Sequence, residues 1–114
     1  MTTASAPGKT ILFGEHAVVY GRPAIAVPVS DLRATAQVED GSPGGGVLLV
    51  AEDLGETYRL EETYESDTAR ALQVTVRNTL RYLGLSSEGL SLTVRVCSQI
   101  PIARGLGSGA AIAT

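Results

Sequence analysis

Strands come first, one long helix follows, and a further strand runs into a glycine-rich segment. That order predicts an α+β domain: a mixed or largely antiparallel sheet, one long helix and the start of a second. Three observations carry the prediction. Leu32, Ala34, Ala36 and Val38 alternate with Arg33, Thr35, Gln37 and Glu39, the period of a half-buried strand. Ala69, Leu72, Val76, Leu80 and Leu83 recur at three- and four-residue steps, the period of a helix that buries one stripe. Leu90, Leu92, Val94 and Val96 alternate again with Ser91, Thr93, Arg95 and Cys97 and lead straight to Pro101.

The remaining elements follow in order. Residues 9–13 form a short apolar run after Pro7-Gly8 and read as a strand, which Gly14-Glu15-His16 interrupts before Ala17-Val18-Val19-Tyr20. Gly21-Arg22-Pro23 turns the chain into residues 24–29, where Pro28 marks an edge or a bulge, since it has no N–H to give a ladder. Ser42-Pro43-Gly44-Gly45-Gly46 is a loop by every local signal, and a strand pattern, not a helix start, follows it. Residues 47–51 and 57–60 predict a hairpin around residues 52–56. Asp67 is the predicted N-cap of the long helix, with Leu83 near its end and Gly84 as its stop. Arg70, Arg77 and Arg81 lie off the buried stripe and predict a solvated face.

A length of 114 residues fits one domain and can bury roughly two thirds of its unfolded surface. Apolar residues make up 44% and charged residues 18%, a globular composition. The net charge is −3 without a Lys/Arg cluster, which argues against nucleic-acid binding through a basic face. An acidic chain can still hold an anion, but only locally, through backbone N–H groups and single cations. The lone Cys97 excludes an internal disulfide framework, fits a reducing compartment and reads as packing. No signal-peptide pattern opens the chain and no apolar run approaches ~18 residues, so a cytoplasmic location is the default expectation.

The segment Pro101-Ile102-Ala103-Arg104-Gly105-Leu106-Gly107-Ser108-Gly109-Ala110-Ala111 is the first with chemistry in it. Glycines let a ligand approach the main chain closely, and the first turn of a helix presents N–H groups without intrahelical partners at the positive end of its dipole. Together these make a phosphate site that needs no basic side chain. A Walker A loop requires a Gly-Lys-Ser/Thr ending, and a dinucleotide fingerprint requires G-x-G-x-x-G; the spacing here is G-x-G-x-G. A glycine-rich turn that only packs close to a helix is the other reading, and the loop by itself leaves both open.

The second informative segment is PGKTILFGEHAVVYG, residues 7–21. Lys9, Glu15 and His16 are ionisable groups in an otherwise apolar stretch, and each alone is unremarkable. Taken with the glycine segment, however, this stretch resembles the first motif of the GHMP small-molecule kinases, in their mevalonate-phosphorylating form. PIARGLGSGAAIAT is similar to that family's second motif, Pro-x-x-x-Gly-Leu-Gly-Ser-Ser-Ala-Ala, and the order and separation also match. The motifs cover about the first 30 and last 14 residues; the middle matches in element order only.

The resemblance implies the N-terminal domain of that family, a fold of the kind named after domain 2 of ribosomal protein S5, and ATP-dependent phosphorylation of the primary hydroxyl of mevalonate with Mg²⁺, in isoprenoid biosynthesis. It implies that Gly105, Leu106, Gly107, Ser108, Gly109, Ala110 and Ala111 hold the ATP phosphates and that Lys9 acts as the catalytic cation beside the reacting hydroxyl. Glu15 and His16 would line the acceptor pocket, with Ser5 a weaker candidate. Gly109 stands where the family carries a second, Mg²⁺-ligating serine, which leaves Ser108 as the one metal candidate. The family's acidic metal ligand, its aspartate base, a third glycine-rich motif and a C-terminal domain would all lie beyond Thr114. Residues 1–114 are therefore expected to be a truncated N-terminal ATP-binding and substrate domain, inactive alone and prone to self-association through uncovered apolar surface. Small-molecule partners are expected, and neither nucleic acid nor membrane. The competing readings are another kinase of the family, acting on homoserine or phosphomevalonate, and a non-catalytic binding domain on the same fold.

Overall fold

In the computed structural model of the chain, residues 1–101 and 108–114 are described. The elements run β1 (Thr2–Phe13), β2 (Ile25–Asp40), β3 (Val47–Ala51), β4 (Glu56–Arg59), α1 (Asp67–Tyr82), β5 (Leu92–Ser98) and α2 (Ser108–Ala113). Short 3₁₀ turns occupy Ala17–Tyr20 and Glu52–Leu54. The strands form one sheet in the order β1-β2-β5-β3-β4. β3 runs antiparallel to β4, with Ala51 opposite Glu56, and parallel to β5, with Val47 opposite Leu92. The sheet is thus mixed and the class is α+β, because the chain between β3 and β5 is long enough to hold the crossover helix that parallel pairing requires.

The residues group into two compact units. The first comprises residues 36–97 with Met1–Ala4 and Ala113; the second comprises Ser5–Thr35 and Ser98–Ile112 with Thr114.

In the first unit, alternate residues of β3 (Val47, Leu49 and Ala51) are buried, as are Tyr58 and Leu60 on the returning arm of the hairpin. Gly55, at φ 63°, closes the turn between them. Burying Leu49 and Leu60 stabilises the unit by about 1.5–3 kcal/mol each. The N-cap of α1 is Ser66, one residue earlier than expected: its extended backbone lets the hydroxyl accept from the Ala69 N–H at 3.3 Å. Asp67 instead takes the first helical position, where a carboxylate favours the dipole.

Ala69 and Leu72 of the expected stripe are buried, and Val76 and Leu80 are half-buried. Leu83 departs from the expectation at 59% exposure, because it caps the helix and turns outward before Gly84 at φ 71°. The inward position that periodicity misses is Gln73, 4% exposed. Its amide donates to the carbonyls of Glu62 at 2.7 Å and Arg59 at 2.9 Å, with a longer third contact to Leu60 at 3.4 Å. Two hydrogens serve the two short bonds, so α1 is pinned to the chain after β4 by a polar side chain.

In the second unit, β1 is twelve residues long, where the sequence predicted a strand at residues 9–13. Its place at the edge of the sheet explains why Pro7 is tolerated inside it. β2 is one sixteen-residue strand instead of two. Gly41 donates to the Ser91 carbonyl at 2.8 Å and Gln99 to the Arg33 carbonyl at 2.9 Å, so the β5 segment runs antiparallel along residues 33–41. Pro28 lies past that stretch, where it need not serve the β5 ladder. Ala6 of β1, Ala34 of β2, Ile100 and Ala111 of α2 form a buried cluster, with Leu32 and Ile112 packed on it. A six-residue helix is far too short to stand on propensity, so this packing is what holds α2 in place. Outside the cluster, residues 12–27 leave Leu12, Phe13, Val18, Val19, Tyr20, Ile25 and Val27 exposed.

Candidate functional site

Lys9 sits half-buried in β1, and the exit of that strand is shaped by Gly14. Gly14 has φ +88°, and a Cβ there would lie 2.4 Å from the Pro23 carbonyl oxygen and 2.8 Å from the Ala24 Cα. The end of β1 is therefore pressed against the backbone that enters β2, and only glycine fits. The chain then folds into the 3₁₀ turn, with the Val18 N–H on the Gly14 carbonyl at 2.9 Å, and leaves it at Gly21 with φ 76°. Glu15 and His16 occupy the shoulder of this turn, both exposed. His16 is at its N-cap but makes no capping bond with its side chain. Among the described residues, Lys9, Glu15 and His16 have no hydrogen-bond or ion-pair partner, so all three keep their full capacity for a ligand.

Ser5 is different. Its hydroxyl accepts from Arg33 Nε at 2.9 Å and its carbonyl from Arg33 Nη2 at 3.2 Å. Sequence reasoning singled out Ser5 and passed over Arg33, which alternation had placed on a polar strand face and which lies 28 residues away.

Gly105, Leu106 and Gly107 lie outside the described residues. Ser108, Gly109, Ala110 and Ala111 form the first turn of α2, and the buried Ala111 shares the core cluster with Ala6. Ala6 precedes Lys9 by three residues, about 10 Å along an extended strand. Ala111 of α2 and Ala6 of the strand that carries Lys9 thus belong to one buried cluster within one unit.

Among the described residues a Cβ at Gly109 would meet nothing within 4 Å, and its φ is not positive, so neither they nor the backbone demand glycine there. Its effect is to remove a side-chain oxygen from the start of α2. Among the described residues no group of three or more His, Cys, Asp or Glu is placed to hold a metal ion. Ser108 is the single hydroxyl in Ser108–Ala113. Among the described residues, too, no helix is long and apolar enough to cross a membrane.

Cys97 is half-buried in β5 and its thiol lies 3.4 Å from Asp53 Oδ1. That hydrogen bond, then burial, then the charges of Asp53 and Glu52 push the thiol above its usual range. An inert, protonated thiol fits packing and not nucleophilic chemistry.

No family model matches the chain. A mevalonate kinase of Thermococcus onnurineus is 42% identical over 120 aligned positions, which cover 96% of this chain and 35% of that protein. The crystal structure of the Methanococcus jannaschii mevalonate kinase superposes with a TM-score of 0.81 at 32% identity, covering 98% of this chain and 37% of that one. A second mevalonate kinase crystal structure gives a TM-score of 0.84, again at 32% identity, over 99% of this chain and 37% of the other. The chain spans about a third of the length of the relatives it matches. In sequence and in fold it belongs to the GHMP kinase family, and within that family it is similar to the mevalonate kinases.

Proposed function

We propose that this chain is the N-terminal ATP-binding and substrate portion of a kinase that transfers the γ-phosphoryl group of ATP to the primary hydroxyl of mevalonate. The observation that carries the reading is the buried cluster shared by Ala111 of α2, the helix that begins at Ser108, and Ala6 of β1, the strand of Lys9, within one compact unit. Phosphoryl transfer asks little covalent chemistry of a protein; it asks for positioning and for neutralisation of developing charge. In this reading the main-chain N–H groups of residues 105–111 hold the ATP phosphates. The Lys9 ammonium stands beside the acceptor oxygen and favours loss of its proton. Glu15 and His16, exposed and without a side-chain partner among the described residues, line the acceptor pocket. Magnesium would accompany ATP, with the nucleotide phosphates and water supplying most of its ligands and Ser108 the one candidate ligand from α2.

The test is turnover of a substrate panel (mevalonate, phosphomevalonate, homoserine) by the protein at the length of its relatives. We expect mevalonate to be the substrate, Lys9→Ala to abolish turnover while nucleotide binding persists, and residues 1–114 alone to be inactive. Turnover that survives Lys9→Ala would refute the assignment. The second reading, a non-catalytic binding domain, is favoured by one observation, the glycine at position 109 where no described residue would obstruct a side chain. Nucleotide binding with no turnover of any panel member would establish it instead.

A further inference from the structure

We infer that Arg33 is a positioning residue for the strand that carries Lys9, holding β1 at Ser5 with its side chain from a backbone that is itself bonded to Gln99. The inference rests on the proposed kinase reading and goes beyond it, because Arg33 belongs to neither motif.

Four observations meet at this residue. The guanidinium forks onto Ser5, Nε to the hydroxyl at 2.9 Å and Nη2 to the carbonyl at 3.2 Å. The Arg33 carbonyl accepts the N–H of Gln99 at 2.9 Å, two residues before Pro101. Its neighbour Ala34 is 3% exposed and lies in the cluster with Ala6, Ile100 and Ala111, so the backbone that carries Arg33 is anchored. Finally, the ion pairs among the described residues use Arg59, Arg70 and Arg95; Arg33 has no carboxylate partner, and its fork is committed to Ser5.

The physical need is clear from the topology. β1 is an edge strand, bonded to a neighbour on one side only, and Thr2 to Ser5 are exposed. Such ends open locally at low cost. Lys9 follows Ser5 by four residues, about 13 Å of extended chain. A strand free to shift at Ser5 carries its lysine with it, and a displacement of about 1 Å at a reacting centre can cost on the order of 100-fold in rate. A lysine at position 33 could not substitute, because the planar guanidinium alone offers two parallel donors at fixed spacing.

The experiment compares Ser5→Ala, Arg33→Lys, Arg33→Met and the Ser5→Ala/Arg33→Met double variant in the protein at the length of its relatives. We expect kcat on mevalonate to fall on the order of 10- to 100-fold in Arg33→Met, with KM for ATP and for mevalonate within about threefold of the parent. Arg33→Lys should recover little of the loss. The double variant should be no slower than Arg33→Met, since the hydroxyl has no role once its donor is gone. In parallel, amide exchange over residues 2–10 should accelerate in Arg33→Met with the rest of the chain unchanged. If Arg33→Met fails to fold, Ser5→Ala, which deletes one exposed hydroxyl, must still lower kcat and speed the same amides. Unchanged kcat, a rise in KM without a fall in kcat, or strictly additive losses would each overturn the inference. A parent protein that turns over no mevalonate would instead sink the kinase reading, and the exchange data would then decide the clamp on their own.

Discussion

Gly14 and Gly21 flank the turn that carries Glu15 and His16, and both adopt left-handed backbone, at φ +88° and +76°. From sequence they are equivalent. The structure separates them: a Cβ at Gly21 meets nothing within 4 Å, whereas one at Gly14 meets the Pro23 carbonyl oxygen at 2.4 Å and the Ala24 Cα at 2.8 Å. Gly21→Ala therefore carries only the cost of a left-handed alanine, about 1–2 kcal/mol. Gly14→Ala carries that cost and a collision with backbone. Carbon atoms rest at about 3.5–4.0 Å. The start of β2 would have to retreat by about 1 Å, an overpacking strain of about 1–3 kcal/mol.

Urea unfolding of the two variants measures the difference directly. We expect Gly14→Ala to be less stable than Gly21→Ala by about 1–3 kcal/mol, with unchanged m-values. Because the strain falls on the shoulder of the turn, Gly14→Ala should also weaken any ligand held by Glu15 and His16, while Gly21→Ala should not. Equal destabilisation of the two variants, within about 0.5 kcal/mol, would refute the close approach at Gly14 as the reason glycine stands there.

Gln73→Met preserves volume but strips the carbonyls of Glu62 and Arg59 of their donor; stability should fall by about 2–4 kcal/mol in the same assay. Cys97 should react with iodoacetamide more slowly at neutral pH than an ordinary thiol, with a pH midpoint displaced upward, and Asp53→Asn should move that midpoint back down. Because the folded-state value is the raised one, the contribution of this thiol to stability is intact below its unfolded pKa. It is lost as pH rises through the folded value, an alkaline effect only. Residues 1–114 alone should self-associate through the exposed apolar strip, and Phe13→Ser with Tyr20→Ser should shift sedimentation toward monomer.

The hairpin of β3 and β4, the span of α1 and the position of β5 were all legible, because each is written in local periodicity and closed by its own turn or cap. The misreadings share a different cause. β2 looked like two strands because the run of residues 24–29, with Pro28 inside it, and the alternation from Leu32 onward are separate local patterns; the tolerance of Pro28 depends on where β5 ends, which no local pattern records. β1 looked short because Ser5, Ala6, Pro7 and Gly8 have weak strand preference, and pairing in the sheet extends the strand over them. Gln73 falls outside the apolar stripe that periodicity picks out, although its amide finds carbonyls eleven to fourteen residues upstream. The site divides the same way. Lys9, Glu15, His16 and the glycine segment were visible as motif residues, whereas Arg33 could be found only once the fold had carried it to Ser5.

The distribution of charge sharpens what an overall value of −3 obscures. The unit that holds both motif segments contains Lys9, Arg22, Arg33 and, by sequence, Arg104, against only Glu15 and Asp31; every other carboxylate of the chain falls within residues 36–97. Fields from exposed charges fade over about 8 Å at physiological ionic strength, so a bound ligand responds to its own neighbourhood and not to the chain total. A nucleotide triphosphate and a carboxylate-bearing alcohol are both anions, and the segments proposed to hold them lie in the cationic part of an acidic chain. The net charge that argued against a polyanion spread over a basic face is therefore compatible with small anions held at one place. The same local surplus of cations explains why Arg33 can spend its guanidinium on a hydroxyl and a carbonyl, leaving Lys9 free to meet the ligand.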